Sequence, residues 1–91
     1  MGSIYQGELD SEGRYHGWGI RISKYGDLYE GHFFEGKEEG SGRWIDWDGE
    51  WFEGGFQDIV PHGKGKRTFR DGSYETGVYE KGALKEGAEY D

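Results

Sequence analysis

The chain has 91 residues, no cysteine and a formal net charge of −8. That length is one domain, and the absence of thiols excludes disulfides and thiolate metal sites. The acidic balance opposes nucleic acid and anionic lipid alike, since both present phosphate to the protein.

No apolar run approaches the ~20 residues that span a bilayer. No basic start followed by an apolar stretch reads as a secretory signal. The cytoplasm is the expected compartment. Met1-Gly2 opens like an N-myristoylation motif, but Gln6 stands where that motif requires Ser or Thr. Nineteen glycines rule out long helices, because each costs ~1 kcal/mol inside one. Aromatics are 18% of the chain and aliphatics are scarce. Short strands in a single elongated sheet therefore fit better than a two-layer core.

From the first residues onward, glycines keep a period. Gly31, Gly54 and Gly77 are 23 residues apart, as are the pairs Gly17/Gly19, Gly40/Gly42 and Gly63/Gly65, and as are Gly26, Gly49 and Gly72. A fixed period of this size marks a repeat array. The copies read YQGELDSEGRYHGWGIRISKYGDL from Tyr5, YEGHFFEGKEEGSGRWIDWDGEW from Tyr29 and FEGGFQDIVPHGKGKRTFRDGSY from Phe52. A partial fourth, ETGVYEKGALKEGAEYD, runs from Glu75. The domain is thus 1–91, with units at about 5–28, 29–51, 52–74 and 75–91.

Asp48-Gly49 and Asp71-Gly72 separate alternating segments. Asp-Gly favours the two-residue type I′ turn, in which both central residues have positive φ. On that turn Trp47 faces Glu50, Asp46 faces Trp51, Ile45 faces Phe52 and Arg43 faces Gly54. Likewise Lys24 faces Asp27 and Arg21 faces Glu30, both favourable charge pairs.

Alternation along the strands then puts Trp18, Ile20, Ile22, Tyr29 and Phe33 on one face, continued by Ile45, Trp47, Phe52 and Phe56. The other face carries Leu28, Trp44, Trp51, Phe69, Tyr74 and Val78. Gly31 and Gly54 leave floor space for a neighbouring ring. Ala83-Leu84-Lys85 is the only run that favours a turn of helix. Loops at residues 10–16, 34–39 and 57–62 form an acidic edge through Asp10, Glu12, Glu35, Glu38, Glu39 and Asp58.

Catalytic chemistry is not written in this pattern. His16 and His62 hold the same repeat position two units apart, about 19 Å at the spacing of strands, too far to share an ion. The run from Asp46 to Glu50 is far short of a calcium loop, and residues 63–66 lack the spacing of a phosphate-binding loop. The sequence implies no enzyme, no cofactor and no metal.

The recurring Y-E-G-x-[FWL], H-G-x-G and D-G elements resemble the MORN repeat (membrane occupation and recognition nexus) over residues 5–82. Glu39 departs from its usual His, Tyr25 from the Asp before Gly26, and Glu75 from the opening aromatic. The resemblance implies an all-β, single-layer antiparallel sheet of consecutive hairpins. It also implies a non-enzymatic scaffold that docks a segment of a partner protein. A lipid-headgroup or membrane-apposition module, and a subunit of a cytoskeletal or axonemal assembly, are the alternatives.

The expected partner-binding residues are Trp18, Tyr29, Phe33, Ile45, Trp47, Phe52 and Phe56, since a large apolar patch marks an interaction site. The acidic edge favours a protein partner with basic flanks. No nucleic acid is expected, and membrane or cytoskeleton association is expected only through partners. The open sheet edges offer a route to a homo-oligomer.

Overall fold

A computed structural model describes residues 3–90, with side chains through residue 88; the Met1-Gly2 motif lies outside these residues. The described chain is all strand and turn. It runs β1 (Ile4–Leu9), β2 (Tyr15–Ile22), β3 (Leu28–Phe34), β4 (Lys37–Ile45), β5 (Trp51–Gln57), β6 (Val60–Thr68), β7 (Tyr74–Glu80) and β8 (Ala83–Tyr90). They form one antiparallel sheet in chain order. Residues 83–85 are strand, not helix; pairing with β7 overrides the local helix propensity.

Two kinds of turn alternate along the sheet. On one edge the carbonyls of Ser23, Asp46 and Phe69 accept from the amides of Gly26, Gly49 and Gly72. The amides of Ser23, Asp46 and Phe69 in turn donate to the carbonyls of Asp27, Glu50 and Ser73. These are three-residue loops in which only the glycine needs positive φ; Gly49 stands at +102°. The Asp-Gly pairs therefore do not make two-residue turns.

The correction moves the register by one residue. Ile45 faces Trp51, Trp44 faces Phe52 and Gly42 faces Gly54. Arg21 faces Tyr29, and Ile20 faces Glu30. A one-residue slip sends a strand's side chains to the opposite face, so the expected grouping of aromatics is wrong.

Type I′ turns do occur, on the other edge, at Glu35-Gly36, Asp58-Ile59 and Lys81-Gly82, where both central residues have positive φ. They replace the longer loops expected near residues 34–39 and 57–62. Each leans on the preceding hairpin: the amides of Gly36, Ile59 and Gly82 donate to the carbonyls of Tyr15, Glu38 and Pro61 at 2.9, 3.1 and 3.0 Å.

Ile59 is the misfit among them. A β-branched residue at φ 83° is strained by about 1–3 kcal/mol, and glycine holds that position at Gly36 and Gly82. The side chain is half exposed and loses little by removal. Ile59→Gly should therefore raise stability by about 1 kcal/mol, after the entropy that glycine adds to the unfolded chain. Thermal denaturation should show a Tm several degrees higher; an unchanged or lower Tm counts against the strain.

A row of glycines crosses the sheet, pairing in sequence from Gly7 and Gly19 to Gly77 and Gly87. The ring of Tyr5 lies over Gly19, Tyr29 over Gly42 and Phe52 over Gly65, each inside the space a Cβ would occupy. The floor is thus the glycine of the facing strand. Gly31 and Gly54 serve another purpose, the close approach of two backbones.

On this ring face Tyr5, Phe33, Tyr29, Phe56, Phe52 and Tyr79 form a zigzag of edge-to-face pairs, with centroids 4.8–5.4 Å apart. Each such pair adds about 0.5–1.5 kcal/mol beyond area burial. Tyr29, Phe33, Phe52, Phe56 and Tyr79 are the buried hydrophobic residues. The Tyr29 hydroxyl donates to the His32 carbonyl at 2.9 Å, and burial pushes its phenol up to about 12.

Candidate docking face

The seven expected site residues fall on three different surfaces. Tyr29, Phe33, Phe52 and Phe56 are the ring ladder itself and are buried. Trp47 is 73% exposed, but it sits in the turn between β4 and β5. Its Cβ stands 3.2 Å from where a Cβ on Gly26 would lie, and its amide donates to Asp46 Oδ1 at 2.8 Å. Trp18 and Ile45 lie on the face opposite the rings. Phe33, Trp47 and Phe56 therefore do not form one aromatic surface, because the register places the rings inward and the tryptophans elsewhere.

The face opposite the rings, called the open face below, is built in rows across the strands. Register partners share a face. One row is apolar: Ile22, Leu28, Ile45 and Trp51, continued by Thr68 and Tyr74. The next is charged: Glu30, Arg43, Glu53 and Lys66. A third holds Trp18 with His32, Ser41 with Gly55, and Lys64 with Val78. Arg43 is ion-paired with Glu30. Lys66 Nζ lies 4.4 Å from the centroid of Tyr74. The indole of Trp18 meets His32 edge-on at 5.0 Å and is 51% exposed.

The large hydrophobic residues left exposed concentrate here. Ile4, Trp18, Ile22, Phe34, Val60 and Val78 belong to the open face, Tyr25, Trp47 and Ile59 sit in turns, and Leu9, at the end of β1, pairs with Tyr15. Sequence reasoning missed Trp51 and Leu28 as members of the same face as Trp18. Pairing glycine with glycine across each hairpin would have found them.

Much of the acidic edge has a structural role. Glu38 is buried and paired with Arg21, 17 residues away, rather than lying in a loop. Asp10 accepts from the amides of Glu12 and Arg14 and from Arg14 Nε, and the Arg14 amide leads the contacts that hold its carboxyl below the usual range. Glu39 Oε2 accepts from the Asp58 amide at 2.7 Å, and Asp58 pairs with Lys37 at 3.1 Å. The basic run at 64–70 is also divided: Lys64 and Lys66 lie on the open face, Arg67 on the ring face and Arg70 in a turn.

One carboxyl is set to titrate. Burial, and then the neighbouring Asp27 carboxyl, push Asp46 up to about 6. A folded value above the unfolded one means stability present at low pH and lost as pH rises through about 6. Asp46→Asn removes this loss, since an amide keeps the acceptor for the Trp47 amide. Its Tm should match wild type near pH 4 and exceed it near pH 8; a pH-independent difference would contradict this.

Among the described residues no three His, Cys, Asp or Glu stand close enough to hold a metal ion, and no helix is long and apolar enough to cross a membrane. The arrangement offers apolar contact, stacking and ion pairing.

The family model of the MORN repeat matches residues 29–46 and 52–74. No curated protein matches the chain.

Proposed function

This chain carries MORN repeats, a non-enzymatic repeat module, and on that premise we propose that it is a protein-docking platform that holds a partner's segment on its open face. The observation that carries the proposal is the partition of apolar residues. The ring ladder is consumed by the core, while Trp18, Ile22 and Val78 remain exposed beside a half-buried apolar row on the other side. Exposed apolar groups rimmed by charges mark protein interfaces, and aromatic anchors dominate their energetics. The module works without a cofactor, inside the cell, and meets membrane or cytoskeleton through its partner. The net charge of −8 and the dispersal of the basic run disfavour direct binding to anionic lipid.

Panning random dodecapeptides displayed on phage against the purified chain tests this. Enriched peptides should lose at least tenfold in affinity with Trp18→Ala or Trp51→Ala, and less than twofold with Trp47→Ala. Peptides that depend on Trp47 and ignore Trp18 and Trp51 would move the docking surface to the turn edge and overturn the proposal. So would the absence of any enriched peptide.

A further inference from the structure

Equivalent repeat positions on the open face differ in size in an ordered way. Positions 18, 41 and 64 hold Trp, Ser and Lys, and positions 32, 55 and 78 hold His, Gly and Val. Each residue of the first set pairs with its counterpart in the second. The outer rungs are therefore Trp18–His32 and Lys64–Val78, and the middle rung is Ser41–Gly55. The two smallest side-chain positions lie together, and the result is a slot one hairpin wide.

The slot has an electrostatic character. A depression of about 380 Å³ is lined by Trp18, Glu30, Ser41, Gly42, Arg43 and Glu53. Arg43 is already paired with Glu30. Glu53 holds no ion pair among the described residues, although Arg43 and Lys66 flank it in register. The exposed indole of Trp18 stands at one end. An aromatic face attracts a cation, and an unpaired carboxylate on the same hollow supplies the counter-charge.

We propose that this slot receives a lysine or arginine side chain from the docked protein segment, with its stem against Trp18 and its charged head toward Glu53. The inference rests on the open face being the docking surface and adds the chemistry of the residue that enters it. The match is one of charge complementarity. A chain of net charge −8 favours a basic segment at long range, and the slot is where one side chain of that segment is read. An apolar side chain would strip water from the Glu53 carboxylate and offer it no donor in exchange, which the interface would resist.

The probe is a fluorescein-labelled octalysine peptide, titrated at low salt by fluorescence anisotropy. Glu53→Gln and Ser41→Trp should each weaken binding at least fivefold. Ser41→Trp fills the slot without changing charge, and Trp18 already occupies the same position one repeat earlier. Glu35→Gln, which removes the same charge from an exposed tip turn, should change affinity less than twofold.

Equal losses in Glu53→Gln and Glu35→Gln would show that net charge alone attracts the peptide and would overturn the slot. If Ser41→Trp does not fold, Glu53→Gln against Glu35→Gln still decides. Panned peptides that need Trp18 and Trp51 but keep their affinity when their own Lys and Arg are replaced would sink the slot while leaving the docking face intact. Peptides indifferent to Trp18 and Trp51 would sink both.

Discussion

Gly54→Val should cost about 3–5 kcal/mol, about half of the ~5–10 kcal/mol that holds a domain of this length folded. Two effects combine. Gly54 has φ 148°, a conformation that a branched L residue reaches only under strain. Its Cβ would also stand 2.5 Å from Gly65 Cα and closer still to the Lys64 carbonyl oxygen. Both obstacles are backbone of the facing strand, so no rotamer change relieves them, and overpacking of this kind costs about 1–3 kcal/mol by itself.

Gly36→Val is the comparison. Gly36 also has positive φ, 90°, but nothing lies within 4 Å of its missing Cβ, and Ile59 already occupies the equivalent place in the next tip turn. Circular dichroism melts should show a Tm loss beyond about 15 °C for Gly54→Val and only a few degrees for Gly36→Val. Equal losses would refute the close approach of β5 and β6 at the glycine row.

Phe52→Ala should be nearly as damaging, by about 3–5 kcal/mol. Phe52 is 0% exposed. Its ring lies over Gly65 and stands edge-on to Phe56 and Tyr79 at 5.4 and 4.8 Å. It is the link that joins the third repeat's rings to Tyr79 of the fourth, and no neighbour can collapse into its place without losing its own pairing. Trp47→Ala, five residues earlier, removes a larger aromatic from an exposed turn and should stay within about 0.5 kcal/mol. Urea denaturation of the two variants checks the contrast. A large loss for Trp47→Ala with a small one for Phe52→Ala would restore the grouping that the two-residue turn predicts.

That grouping shows what can be read from this chain and what cannot. The period of 23, the hairpin array and the single layer are legible because glycine leaves a local mark: no other residue tolerates two backbones this close. The faces are not legible from the turns. Asp-Gly suits a two-residue loop with both residues at positive φ and a three-residue loop with only the glycine there. The choice depends on which pair closes the hairpin, Asp46 with Glu50 or Trp47 with Glu50.

One residue of slip exchanged Trp44 for Ile45 opposite Phe52 and mixed buried rings with exposed ones. The deciding constraint is non-local. Gly42 must face Gly54 for the Tyr29 ring to lie flat over the sheet, and that pairing is consistent only with the longer loop. The Arg21–Glu38 pair was out of reach for the same reason, since it joins residues two strands apart.

The tip turns have a mechanical consequence. Each hangs on the hairpin before it through one amide, at Gly36, Ile59 and Gly82 in turn, and each ring packs chiefly on its nearest neighbours. Cohesion therefore passes along the chain link by link, as in other solenoids whose stability is a sum of units and the joints between them. Tension applied at the two ends would peel hairpins off singly, and folding could start at any hairpin and spread both ways. Evolution could then lengthen such a sheet by whole 23-residue units, about 10 Å of reach at a time, without redrawing the hairpins already in it.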